Sequence, residues 1–144
     1  MGREQFVGAW KLVSFESRLP DGSVRRPFGE APIGIAIFSA DGRIAAQLMR
    51  PDRPRFASDE QGTGTPDEMR QAFVGCVAYF GKCEIDDEAR TLVTHVEGSM
   101  FPNWIGGDQV RTYEFRGERL VLMPPPRDVG GQTVTSELAW ERLS

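Results

Sequence analysis

The chain has 144 residues, 40% of them hydrophobic and 26% charged, and its 17 basic and 21 acidic side chains leave a net charge of −4. Such a length and composition fit one soluble globular domain over 1–144, with no basic excess to meet nucleic acid or an anionic membrane surface. No apolar run reaches the roughly 18 residues of a membrane span, and the start MGREQFVGAWKLV lacks the apolar core of a secretory signal.

Alternation with period two begins at "GAWKLVSFE" (8–16), where Trp10, Leu12 and Ser14 share one face and Lys11 takes the other. "PDGS" (20–23) marks a turn. "IGIAIFSADGRIAAQLMR" (33–50) reads as a hairpin, because Asp-Gly suits a tight turn between apolar runs. The polar stretch 51–64 is a long loop, and "TPDEMRQAFVG" (65–75) is a helix. Thr65 is its N-cap, Pro66 sits at the first position and Glu68 completes a capping box. Met69, Ala72, Phe73 and Cys76 recur at helical spacing, so Met69 and Phe73 are expected to lie against a barrel end.

In "VAYFGKCEI" (77–85), Lys82 and Glu84 belong outside, which sends Tyr79, Cys83 and Ile85 inward. "TLVTHVEGS" (91–99) holds the single histidine. Val93, His95, Glu97 and Ser99 share one face of that strand, and Thr94, Val96 and Gly98 share the other. "FPNWIGG" is a rim loop in which Trp104 either gates a mouth or packs on the surface. Strands follow at 109–115, 119–123 and 133–143. Outward charges at Glu114, Arg116, Glu137 and Glu141 turn Arg111, Tyr113, Phe115, Val134, Ser136, Leu138 and Trp140 inward. Cys76 and Cys83 would stand roughly 23 Å apart on extended chain at about 3.3 Å per residue, out of disulfide reach. Reduced thiols without a signal place the protein in the cytoplasm.

Antiparallel strands joined by short turns suit a sandwich or a closed barrel. Closure removes exposed edges, and eight strands leave room for a small ligand. The stretches "GAWKLVSFE", "SADGRIAAQLMRPDRPRF" (39–56), "THVEGSMFPNW" (94–104) and "LAWERL" (138–143) resemble, in order, the bacterial and fungal lipocalin-like domain proteins of the calycin superfamily. The resemblance implies an all-β antiparallel barrel of eight to ten strands with one short α-helix, a central cavity and an intracellular setting. It also turns the ambiguous 91–99 strand so that His95 and Glu97 face the cavity.

The expected ligand-binding residues are therefore Arg111, Tyr113, Tyr79, His95, Trp10, Ser14, Trp104 and Trp140, a few polar groups in an apolar interior. Arg111 and Tyr113 resemble the carboxylate clamp of intracellular fatty-acid-binding proteins, although two further strands follow them here. Alternatively Arg111 pairs with Glu97 inside the barrel, since buried charges are paired. The first functional expectation is a carrier of a small hydrophobic or amphipathic molecule. The second is a cofactor-free isomerase, cyclase or hydratase on a carbonyl-containing, polyketide-like substrate, with His95 as acid/base, Glu97 as its orienter and Tyr79 as donor. An empty barrel serving in assembly is a third. One histidine without clustered ligand spacing falls short of a metal site, and no phosphate or dinucleotide fingerprint calls for a cofactor. The expected partner is a small molecule, with a second copy of the chain as the protein partner kept open.

Overall fold

In the computed structural model, which describes residues 2–143, the alternating stretches form ten antiparallel strands. In chain order the elements are α1 (Gly2–Phe6), β1 (Gly8–Arg18), β2 (Val24–Arg25), β3 (Ile33–Phe38), β4 (Arg43–Met49), α2 (Pro66–Val74), β5 (Cys76–Asp86) and β6 (Thr91–Ser99). A single 3-10 turn (Pro102–Trp104), β7 (Asp108–Arg116), β8 (Arg119–Met123), β9 (Arg127–Val129) and β10 (Gln132–Arg142) complete them. Eight strands run β1-β3-β4-β5-β6-β7-β8-β10, and β10 pairs back onto β1 to close the barrel. The short β2 and β9 extend β1 and β10. Each closed ladder satisfies its backbone donors and acceptors and leaves no long edge. Among the described residues no helix is long and apolar enough to cross a membrane.

The two barrel ends differ. The turns β3–β4, β5–β6 and β7–β8 are short and sit at one end with α1, while the longer connections 19–32, 50–75, 100–107 and 124–131 gather at the other. The first end is closed by α1; the second carries the long connections, and one of them turns Phe28 inward, 6% exposed with its ring 5.4 Å from that of Phe15, so this more open end is partly covered.

Two β-bulges reassign faces, as one extra residue on one strand must. In β1, Leu12 opposes Trp140 and Ser14 opposes Ala139, so Val13 is the extra residue. Beyond it, Phe15 and Ser17 point inward opposite Leu138 and Ser136. Ser14, expected inside, therefore faces out. In β6, Gly98 opposes Phe80 while Val96 opposes Gly81, so Glu97 is the extra residue. Leu92, Thr94 and Val96 are buried on the inward face, and past the bulge Ser99 joins Tyr79 inside. His95 and Glu97, also expected inside, lie on the outer wall. Their polar side chains find partners there without the desolvation that an inward turn imposes.

Helix α2 has the expected Thr65 cap with its Glu68 capping box. It packs as expected only in part: Met69 and Phe73 are each 42% exposed and no residue of the helix is buried, but the Phe73 ring meets that of Phe101 in the 100–107 loop at 6.5 Å. Polar hooks from the 51–64 loop add to that contact. Arg53 donates to the Ala72 carbonyl (3.1 Å), and the Ala57 amide donates to Glu68 (2.9 Å).

Candidate functional site

The closed end is packed shut. Phe6 of α1 is fully buried, with its ring 5.4, 4.9 and 5.3 Å from those of Phe38, Tyr113 and Phe115. Its carbonyl accepts a hydrogen bond from Trp10 Nε1 at 2.8 Å. The Arg142 guanidinium lies 4.3 Å from the centre of a Trp10 ring and donates to the carbonyls of Val7 and Gln5. Trp10 and Tyr113 thus face inward, yet both belong to the plug. The Tyr113 hydroxyl donates to Asp87 at 2.9 Å. Burial, reinforced by that bond, pushes its phenol up to about 12. Its polar atom is not offered to a ligand in this arrangement, nor is that of Trp10.

Above the plug the interior has two characters. Parity and pairing place Tyr79, Ser99, Thr94, Gln109 and Arg111 along the inner side of β5, β6 and β7. Across the barrel, β10, β1 and β3 present Leu138, Trp140, Leu12, Phe15, Gly34 and Ala36. A polar strip therefore faces an apolar wall. Tyr79 is desolvated enough that burial raises its phenol, while the charge of Arg111 pulls the other way. It remains a neutral donor at physiological pH, and its hydroxyl makes no hydrogen bond among the described residues. Trp104 packs edge-on against its ring at 5.9 Å and 90°, and Phe101 meets Trp104 at 5.6 Å. Trp104 thus stands beside Tyr79 on the 100–107 loop.

Two further polar atoms, Thr94 Oγ1 and Trp140 Nε1, are buried without a hydrogen-bond partner. An orphaned buried group costs about 1–3 kcal/mol, so each is an available contact. Arg111 Nη1 donates to the Val110 carbonyl (2.8 Å) and Nη2 to Gln109 Oε1 (3.0 Å), both neutral acceptors. The alternative pairing with Glu97 does not form, because Glu97 binds Arg43 on the outer wall at 3.1 Å.

His95 sits outside between two carboxylates. Nδ1 is 2.7 Å from Asp108, and Nε2 is 2.6 Å from Glu84. The bond to Asp108 and then that to Glu84 raise its pKa above the ordinary 6.5. Of the trio expected to do chemistry, His95, Glu97 and Tyr79, only Tyr79 reaches the interior. Both cysteines are free, and burial pushes the Cys83 thiol up to about 12. Among the described residues no cluster of His, Cys, Asp and Glu is arranged to hold a metal ion.

Sequence reasoning overlooked Phe6, Phe15 and Gln109 and put Thr94 on the outer face, while Ser99, on the face it turned inward, does point inside. Phe6 had a signal, as a lone large aromatic four residues before Trp10 in an otherwise polar opening. Phe15 had one too. The apolar positions switch from even at Trp10 and Leu12 to odd at Phe15, which is how a bulge reads in sequence.

The model of the lipocalin-like domain family matches residues 7–143. The chain belongs to that family. An Aspergillus oryzae protein named a 4'-hydroxy-3'-methoxypropiophenone carrier protein is 34% identical over 107 residues, covering 69% of this chain and 96% of that one. A crystal structure of a lipocalin-like protein from Bacteroides uniformis superposes with a TM-score of 0.49 at 12% identity, covering 96% of this chain and 99% of that one. In this lipocalin-like barrel, then, Tyr79, Ser99 and Gln109 lie toward the end where the long connections meet the strands, Thr94 lies midway along β6, and Trp140 Nε1 lies deep toward the closed end, two residues from Arg142.

Proposed function

We propose that this lipocalin-like protein carries a small, flat, largely apolar molecule with a polar acceptor, of the size and polarity of an aryl ketone, in the open half of its barrel. The observation that carries the reading is the Tyr79 hydroxyl, a neutral donor without a protein partner on a polar strip opposite an apolar wall. Trp104 stacks edge-on beside that ring, and an aromatic guest would extend the same packing. The name of the Aspergillus relative, which refers to an aryl ketone, agrees in ligand size and chemistry. The outward placing of His95 and Glu97 supports transport over the acid/base mechanism built on those two residues.

Acetovanillone, an aryl ketone of this class, is the probe. It should quench tryptophan fluorescence saturably and be recovered unchanged after incubation. Tyr79→Phe should weaken binding about five- to thirtyfold, the loss of one buried hydrogen bond of about 1–2 kcal/mol. Absence of saturable quenching, or equal affinity in Tyr79→Phe, would remove the reading.

A further inference from the structure

Above the plug, Arg111 is the one charged side chain with inward parity on the eight closed strands. Its pairing places it opposite Leu92, which is buried, and one inward position further from Phe6 than Tyr113. The chain's other inward arginine on a closed strand, Arg142, lies at the closed-end rim with its donors on backbone carbonyls. On the outer surface five arginines meet acids within 3.2 Å: Arg26 with Glu16, Arg43 with Glu97, Arg50 with Asp52, Arg116 with Glu137, and Arg119 with Glu141. Arg111 has no such partner among the described residues, only a carbonyl and an amide oxygen. A guanidinium carries five N–H donors and cannot discharge itself by losing a proton. Arg111 is half-buried and its two protein contacts are to neutral oxygens, so the charge and the remaining donors are free to meet water or a guest facing the hydrocarbon wall opposite.

Resting on the carrier reading above, we infer that the guest is held as an oxyanion, with its negative oxygen on Arg111 and its ring against the β10–β1–β3 wall. A phenol para to an acyl group is a vinylogous carboxylic acid: its anion delocalises onto the ketone oxygen, so it ionises far more readily than an ordinary phenol. The phenolic proton goes to solvent and no bond to carbon changes. Arg111 takes the phenolate or the ketone oxygen that shares its charge, and neutral Tyr79 can donate to the other. An aromatic carboxylate offers the same resonance-stabilised oxyanion from a second source.

Three probes separate these terms: acetovanillone, its methyl ether, which cannot ionise, and veratrate, which is anionic without a phenol. The absorbance of acetovanillone is titrated with pH, free and in the presence of saturating protein. The phenolate band should appear in the bound ligand at least about one pH unit lower than in the free one, a tenfold preference for the anion. Arg111→Met should abolish that shift and bring the affinity ratio of acetovanillone to its methyl ether toward one, while Arg111→Lys should keep part of both. Veratrate outcompeting acetovanillone at all pH values would support the oxyanion site and assign its source to carboxylates. A bound acetovanillone that ionises at or above its free pH would overturn the inference, as would an unchanged shift in Arg111→Met. If the methyl ether still quenches saturably in that case, the carrier reading stands without the anion. If no probe quenches, both fall. The wild-type titration decides the ligand's charge even where a variant fails to fold.

Discussion

His95 illustrates how a side chain's chemistry follows from the wall it faces. Outside the barrel it bridges Asp108 and Glu84, and these bonds, that to Asp108 first, lift its pKa above 6.5. A group whose pKa is higher folded than unfolded adds stability that is complete below the unfolded value and is lost as pH rises through the folded value. The bridge should therefore tie β5, β6 and β7 together most firmly below about pH 6.5 and weaken above it. The exposed setting keeps the effect on stability small. An NMR titration of the ring should give a midpoint above 6.5, moving down in Asp108→Asn and in Glu84→Gln. A midpoint unchanged by both variants would mean that the bridge does not persist in solution. The inward placing of Tyr79, Arg111, Tyr113 and Trp140 was legible in the sequence, since charged neighbours on each strand fixed the outer face. The same rule points Glu97 outward. The orientation that the family resemblance implies runs against that rule, and the bulge at Glu97 sets the outcome.

At the scale of elements, the bulges carry what strict alternation cannot express. Strands, turns and the α2 cap were legible because each has a local chemical signature: Asp-Gly, a capping box, or apolar residues two apart. A bulge depends instead on what the neighbouring strand allows. The one at Glu97 exists beside Gly81, where a β-carbon would come within 2.0 Å of the His95 carbonyl oxygen. That contact is with backbone, so no side-chain rotation relieves it. Gly81→Ala should push β6 away from β5 and cost about 1–3 kcal/mol, the scale of overpacking in a closely fitted site. A comparable change at Gly106, where nothing lies within 4 Å but φ is +87°, should act only through backbone strain. Denaturant melts of Gly81→Ala, with amide exchange read across β6, would test this. A wild-type midpoint with unchanged protection at Val96 would show that the bulge does not require glycine there.

For the molecule as a whole, the asymmetry between ends is what makes a barrel a container. An eight-stranded interior is just wide enough for side chains or one small ligand, and here one core cluster runs from Phe6 at the closed end to Phe28 and Leu48 at the other, with the α1 plug sealing only the first. The helix carrying Phe6 spans only Gly2–Phe6, too short to be stable by itself, so tertiary packing must hold it. That is why pattern reading did not find it. Three aromatic contacts, the Trp10 bond to its carbonyl and the Arg142 bonds just beyond supply that packing. Phe6→Ala should then cost about 3–5 kcal/mol, the range for a buried phenylalanine, out of a total stability of only about 5–15 kcal/mol. Phe73→Ala on α2, which loses a half-exposed ring and its edge-on contact with Phe101, should cost only about 1 kcal/mol. Because the plug lies below the polar strip, Phe6→Ala measured at a temperature where the variant remains folded should keep saturable acetovanillone binding, while its urea midpoint falls. The two midpoints, compared at equal m-values, give the test. If Phe6→Ala and Phe73→Ala shift equally, α1 does not seal the barrel, and the closed end is held by the strands alone.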